Sequence, residues 1–252
     1  RSLVVGGAEA APGQFPYQAG LLVTRRGAAG GAAGVGLCGA TLLSDRWLIT
    51  AAHCCREGHK IQVFLGSHPT MRDAQQRAET GLVLLHPMYS QGQPGHHDLA
   101  LIRLERPVRL NDRVRPVRLP AWRHRAEDFA GTVATLSGWG KTSDEDQRPV
   151  KGTAVLRFAR ERVLHAEEAE AILKRKLPPH FLCVRGLRGE VSCNGDSGGP
   201  LTVEAADGRP MLVGVVSHRY GHLCGLSKAH VCTRITSFLP WIAAVTRVPV
   251  EH

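Results

Sequence analysis

Apolar runs in this chain are short, and glycine or proline stands between them. LLVT (21–24), IQVFLG (61–66), DLALIRL (98–104), GTVATLSGWG (131–140) and PMLVGVVSH (210–218) are the clearest. Apolar runs this short, bounded by turn residues, read as strands. With 28 glycines and 15 prolines spread over 252 residues, the pattern predicts an all-β barrel or sandwich. A chain this long can form one large β domain and bury about three quarters of its unfolded surface. No repeat with a period of roughly 20–50 residues competes with that reading.

Two segments carry a helical pattern instead. HAEEAEAILKRK (165–176) has acids early and bases late, which suits the helix dipole. SFLPWIAAVTR (237–247) offers Ser237 as N-cap, Pro240 in the first turn and Pro249 just past the end. RRGAAGGAAGVG (25–36) and KTSDEDQRPVKGT (141–153) read as loops, the first flexible and the second exposed.

Hydrophobic residues make up 43% and charged residues 21%, which excludes a disordered chain. No apolar run approaches the roughly 20 residues of a membrane-spanning helix, and no secretory signal pattern is visible. The net charge of +10 favours anionic partners but equally describes a soluble basic surface. The seven cysteines, at 38, 54, 55, 183, 193, 224 and 232, form no CxxC pair. Dispersed cysteines suit disulfides and an oxidising compartment, and the odd number leaves at least one thiol unpaired unless it bonds another chain.

The chemistry concentrates in CNGDSGGP (193–200). Small residues around Ser197 let the backbone turn tightly and expose the hydroxyl. A serine nucleophile needs a base within hydrogen-bond reach, and the base needs an orienting partner. TAAHC (50–54) supplies His53, and HHDLALI (96–102) supplies Asp98. Each residue alone is ordinary: a surface histidine, a turn aspartate, a glycine-rich turn. In the order His, Asp, Ser they match a nucleophilic triad.

With those motifs, VVGG (4–7), SGWG (137–140), GVVS (214–217) and PWI (240–242), the chain resembles the trypsin-like serine proteases of chymotrypsin fold over nearly its whole length. The resemblance implies an all-β fold of two six-stranded antiparallel β-barrels packed together, with a C-terminal α-helix. The peptidase domain would span 4–247, with barrel halves near 16–110 and 120–235, the helix near 237–247, and residues 1–3 left over as propeptide. It implies a secreted or granule-stored serine endopeptidase, with His53 as general base, Asp98 as its orienting partner and Ser197 as nucleophile. The N–H groups of Gly195 and Ser197 would form the oxyanion hole. Protein or peptide substrates and serine protease inhibitors are the expected partners of a monomer; nucleic acid, membrane, cofactor and metal are not expected.

The same match implies disulfides Cys38–Cys54 and Cys193–Cys224. Cys183 lacks its usual partner, because AEEAEAILKR has no cysteine; a non-standard Cys183–Cys232 bridge is one alternative, and Cys55 is unassigned. In relatives a calcium ion sits in the loop matching 66–80, but Asp73 and Glu79 are too few acids for a cation that takes six or more oxygens.

The primary substrate pocket would be built from Val191, Ser192, Asn194, Ser217, His218, Arg219 and His230. Val191 stands where trypsin-like relatives carry the aspartate that binds Arg or Lys, so cleavage after a basic residue is not expected. Three outcomes stay open: a cationic pocket of Arg219 and His230 for Asp or Glu, a shallow pocket for small apolar side chains, or a blocked pocket. The last would make the chain a weak or inactive homologue that binds a partner or polyanion. Eight arginines between Arg103 and Arg125 suggest a sulfated glycan as such a polyanion, against the plainer reading of a solvated connector. Finally, activation in this family cuts just before a hook such as VVGG. Val4 would then become the terminus whose ammonium pairs with Asp196, and a chain starting at Arg1 would be a zymogen with the switch open.

Overall fold

A computed structural model describes residues 7–25, 34–56, 58–90, 96–140, 154–187, 196–220 and 229–252, the edge residues 25, 58, 59, 219 and 220 by backbone alone. Six strands close the first barrel: β2 (Gln18–Arg25), β3 (Val35–Leu42), β4 (Trp47–Thr50), β5 (Gly58–Leu65), β6 (Gln76–Leu85) and β7 (Ala100–Leu104). They run antiparallel in the order β2-β3-β4-β7-β6-β5, with β5 returning to β2. The second barrel uses β8 (Val133–Gly138), β9 (Arg157–Val163), β10 (Phe181–Gly186), β11 (Pro200–Glu204), β12 (Pro210–Tyr220) and β13 (Ala229–Arg234). Its order is β9-β10-β13-β12-β11-β8, and a β8–β9 pairing closes it. Closure leaves no barrel strand with an unpaired edge.

Alternation fills each barrel. Along β9, Arg157, Ala159, Glu161 and Val163 are buried, while the residues between them are partly or fully exposed. Val163, Leu182, Val184, Leu201, Val213 and Cys232 form the core of the second barrel. Leu21, Val63, Leu65, Leu101 and Ile102 form that of the first. Each terminal segment packs on the barrel farther along the chain from it. The short strand β1 (Ala8–Glu9) pairs with β9. The C-terminal helix α3 (Leu239–Thr246) buries Leu239 and Ile242 in the first-barrel core. The termini therefore strap the two barrels together.

Most expected elements appear where the sequence put them, with local corrections. Helix α2 (Ala166–Leu173) starts with Glu167 and Glu168 in its first turn and ends at Lys174, which takes a left-handed φ of 55°. The bases thus follow the helix instead of filling its last turn. Ser237 does not cap α3: it ends a 3-10 turn (Ile235–Ser237), and Phe238 takes the cap position. The Ser237 hydroxyl donates to Pro179 O at 3.2 Å and accepts from Arg234 Nε at 3.1 Å. Of the expected loop 25–36, Val35 and Gly36 already belong to β3. Arg25 ends β2, while residues 26–33 and the whole of 141–153 lie outside the described residues.

The Cys38–Cys54 disulfide is present, with S–S 2.01 Å. Cys193 and Cys224 lie outside the described residues. A Cys183–Cys232 bridge is ruled out by strand geometry. Leu182 faces Cys232 and Cys183 faces Val231 across β10 and β13. Adjacent residues point to opposite faces, so Cys232 enters the barrel core while Cys183 joins Phe181-side residues under α2. Both are buried thiols, as is Cys55. Asp73 is likewise committed, closing a capping box with Thr70 (Oγ1 to Oδ2 2.6 Å), and Glu79 stands 3.9 Å from Lys60.

Candidate active site

His53 sits on a one-turn helix, α1 (Ala52–Cys55), directly after β4. Asp98 precedes β7, the strand hydrogen-bonded to β4. That pairing brings the two residues together across 45 positions of sequence. Asp98 Oδ2 meets His53 Nδ1 at 2.7 Å, and Asp98 Oδ1 accepts the His53 backbone N–H at 2.9 Å. Two groups from the second barrel hold the same residue: the Ser217 hydroxyl donates to Oδ2 at 2.6 Å, and Thr233 Oγ1 donates to Asp98 O at 2.9 Å. Ser217 is available because β12 bulges there. Pairing with β13 passes from Val216↔Cys232 to His218↔Val231, leaving Ser217 as the extra residue.

Asp98 is 2% exposed. Burial alone would push its carboxyl up. The hydrogen bond and charge of His53, the Ser217 hydroxyl and the His53 amide outweigh that and hold it below the ordinary carboxylate range. The ion therefore stays charged although it is buried.

Ser197 lies on the far side of the Cys38–Cys54 bridge. Gly39, next to Cys38, donates its N–H to Ser197 O at 2.8 Å. Cys54 Sγ is 3.6 Å from that oxygen and 3.8 Å from His53 Nε2, so one sulfur separates the serine backbone from the imidazole. The turn after Ser197 requires glycine. Gly198 has φ +81°, and a Cβ there would collide with Thr50 Oγ1 and Gly39 O. Asp196 is buried and accepts the Gly140 N–H at 2.9 Å. Gly138 and Gly140 leave the room its carboxylate occupies.

Of the expected pocket residues, Val191, Ser192 and Asn194 lie outside the described residues, as do Gly195 and Val4. The backbone of Arg219 pairs with His230 across β12 and β13. Ser217 Oγ and His218 Nδ1 are 3.1 Å apart, and burial, partly opposed by the Asp98 charge, pushes His218 down to about 4. His230 departs most from expectation. It is 2% exposed and turned into the second barrel, with Nδ1 at 3.2 Å from both carboxylate oxygens of Glu161, which is 0% exposed. A protonated His230 there is already balanced by Glu161, so it adds no net charge to the expected cationic pocket. Sequence reasoning missed Glu161, although its place in phase with Ala159 and Val163 marks an acid on the apolar face of a strand.

The arginine connector is partly committed as well. Arg118 bonds Asp207 at 2.7 Å and approaches Glu251 at 3.8 Å, and Arg115 bonds Asp112 at 3.0 Å. Four histidines gather around the segment that leads into Asp98: His86 stacks on His97, and His97 on His180, with His96 beside both. Burial first, then their mutual charge, holds His86 and His180 down to about 4.

A closed pair of six-stranded barrels, with an Asp–His pair and a glycine-turned serine in the cleft between them, defines the chymotrypsin-like class of serine protease. The trypsin family model matches residues 4–242, and the chain belongs to that family. It is 34% identical to the suppressor of tumorigenicity 14 protein homolog of Bos taurus across 97% of this chain, which spans 28% of that protein's length. It is also 34% identical to serine protease 1 of Rattus norvegicus, across 95% of this chain and 88% of the relative. A solved HL collagenase superposes with a TM-score of 0.81 at 29% identity, covering 97% of this chain and 99% of the other. Trypsin-like proteases act on protein or peptide substrates. No helix among the described residues is long and apolar enough to cross a membrane.

Proposed function

We propose that the chain is a secreted serine endopeptidase working through His53, Asp98 and Ser197. The carrying observation is the two-point contact between Asp98 and His53, which fixes the imidazole with Nδ1–H toward the carboxylate and Nε2 free to take a proton. His53 Nε2 removes the Ser197 hydroxyl proton as Oγ attacks a peptide carbonyl. Asp98 stabilises the resulting imidazolium. The N–H groups of Gly195 and Ser197 hold the oxyanion, a donor pair of which each member is worth about 10²–10³ in rate. The imidazolium then protonates the leaving amine, and water hydrolyses the acyl-enzyme by the same base. Pairing of the Val4 ammonium with Asp196 switches the site on.

The side chain before the cut is not basic, because Val191 offers no counter-charge. An acidic or small apolar residue takes its place. Because His230 is already held by Glu161, it offers no cationic partner for an acidic side chain, which favours the small apolar class. A serine-directed fluorophosphonate tests the reading. The activated protein should label at Ser197, and His53→Ala should abolish labelling. A peptide library should then show cuts after small apolar or acidic residues. Absence of labelling in folded, Val4-started protein would favour the alternative, a non-catalytic homologue that binds a partner or polyanion.

A further inference from the structure

Three histidines meet beside the triad without serving it. His96 and His97 lead into Asp98, and His180 immediately precedes β10. Their ligand-capable ring nitrogens all lie within 4.8 Å of one another. His97 and His180 stack with centroids 4.4 Å apart, and His96 meets His180 edge-on at 5.1 Å. All three are partly exposed, so an ion has an entry path. His180 Nε2 is shielded from solvent and has no hydrogen-bond partner among the described residues. An unpaired buried nitrogen is costly, and a metal ion is one partner that would satisfy it.

We propose that His96, His97 and His180 form a binding site for a divalent transition metal, Zn²⁺ foremost, and that filling it slows the triad. Three imidazoles with a fourth position open to water suit tetrahedral zinc. Ligands about 2.0–2.1 Å from zinc stand about 3.3 Å apart, so the rings must close by about 1.5 Å at most. Arg234, a cation that acts on His180, donates its Nε–H to Ser237 at 3.1 Å.

Coupling to the triad runs through His97. Its backbone holds a left-handed φ of 51°, and its carbonyl accepts the Leu99 N–H at 2.8 Å, a tight turn with Asp98 at its centre. Drawing the His97 ring toward a metal shifts that turn, and with it the 2.7 and 2.9 Å bonds to His53. This half of the proposal rests on the peptidase reading; the metal site itself does not.

The test titrates ZnCl₂ by calorimetry into the activated protein and into His96→Asn and His180→Asn, in chelator-free buffer at neutral pH. One ion per chain is expected, with affinity at least about tenfold weaker in either folded variant. In parallel, zinc should slow fluorophosphonate labelling of the parent protein at concentrations that leave the variants unaffected. No binding by the parent, or equal binding by both variants, overturns the site. Slowing that persists in the variants places the metal elsewhere, such as on His53, and overturns the coupling. Zinc binding by a protein that never labels, even without metal, upholds the site and refutes the peptidase reading.

Discussion

Asp98 grips His53 at two points, ring Nδ1 at 2.7 Å and backbone N–H at 2.9 Å, while Ser217 and Thr233 from the other barrel grip Asp98. The first barrel presents the pair and the second locks it. Replacing Asp98 by Asn keeps the size but offers an N–H where His53 Nδ1–H needs an acceptor, favouring the wrong tautomer. The labelling rate at Ser197 should fall by about 10⁴ with little change in fold. A fall of less than tenfold would mean that another group orients the imidazole.

His218 makes stability depend on pH. Burial, its largest influence, pushes it down to about 4, against the charge of Asp98, and the cations Arg175, His53 and His96 add to the lowering. A histidine held neutral in the folded state contributes stability above its unfolded value of about 6.5, which is lost as the pH falls toward 4. Urea unfolding between pH 7 and 4 should therefore show a smaller loss for His218→Gln than for the parent chain.

The Glu161–His230 pair separates its own consequences from those of the triad. His230→Leu leaves a buried carboxylate unbalanced and should cost about 3–5 kcal/mol in unfolding free energy. Replacing both residues by Leu removes the charge with its partner and should recover most of the loss. Equal destabilisation by the single and double variants would mean that the two residues act independently.

Thiol chemistry should divide the cysteines by burial. Desolvation pushes Cys55 and Cys183 up to about 12 and Cys232 well above its ordinary value. All three should resist iodoacetamide in the native protein and react after denaturation without reductant, while Cys38 and Cys54 stay protected. Peptide mapping by mass spectrometry reads the result directly. A Cys183–Cys232 linked peptide would contradict the opposed faces of these residues.

Much of the fold was legible because strand signals are local. A short apolar run bounded by glycine or proline announces a strand wherever it later pairs, so LLVT, IQVFL and PMLVGVVSH fall within β2, β5 and β12. Helix ends were less legible. Ser237 looks like a cap, but its hydroxyl is taken by Pro179 and Arg234, which are distant or out of phase in sequence. The partner of His230 was illegible for a similar reason: Glu161 is 69 residues away.

By itself, the sequence determined the strand and turn pattern and the need for glycine at position 198, where φ is +81°, and resemblance supplied the expected triad residues. Those properties depend on residue type and immediate neighbours. Tertiary structure alone decided that Cys183 and Cys232 face apart, that Glu161 balances His230, and that His97 lies against His180. Each of these depends on strand register and barrel closure. A shift of one residue in register would reverse every side chain, and nothing in a single strand's sequence records which strand will lie beside it.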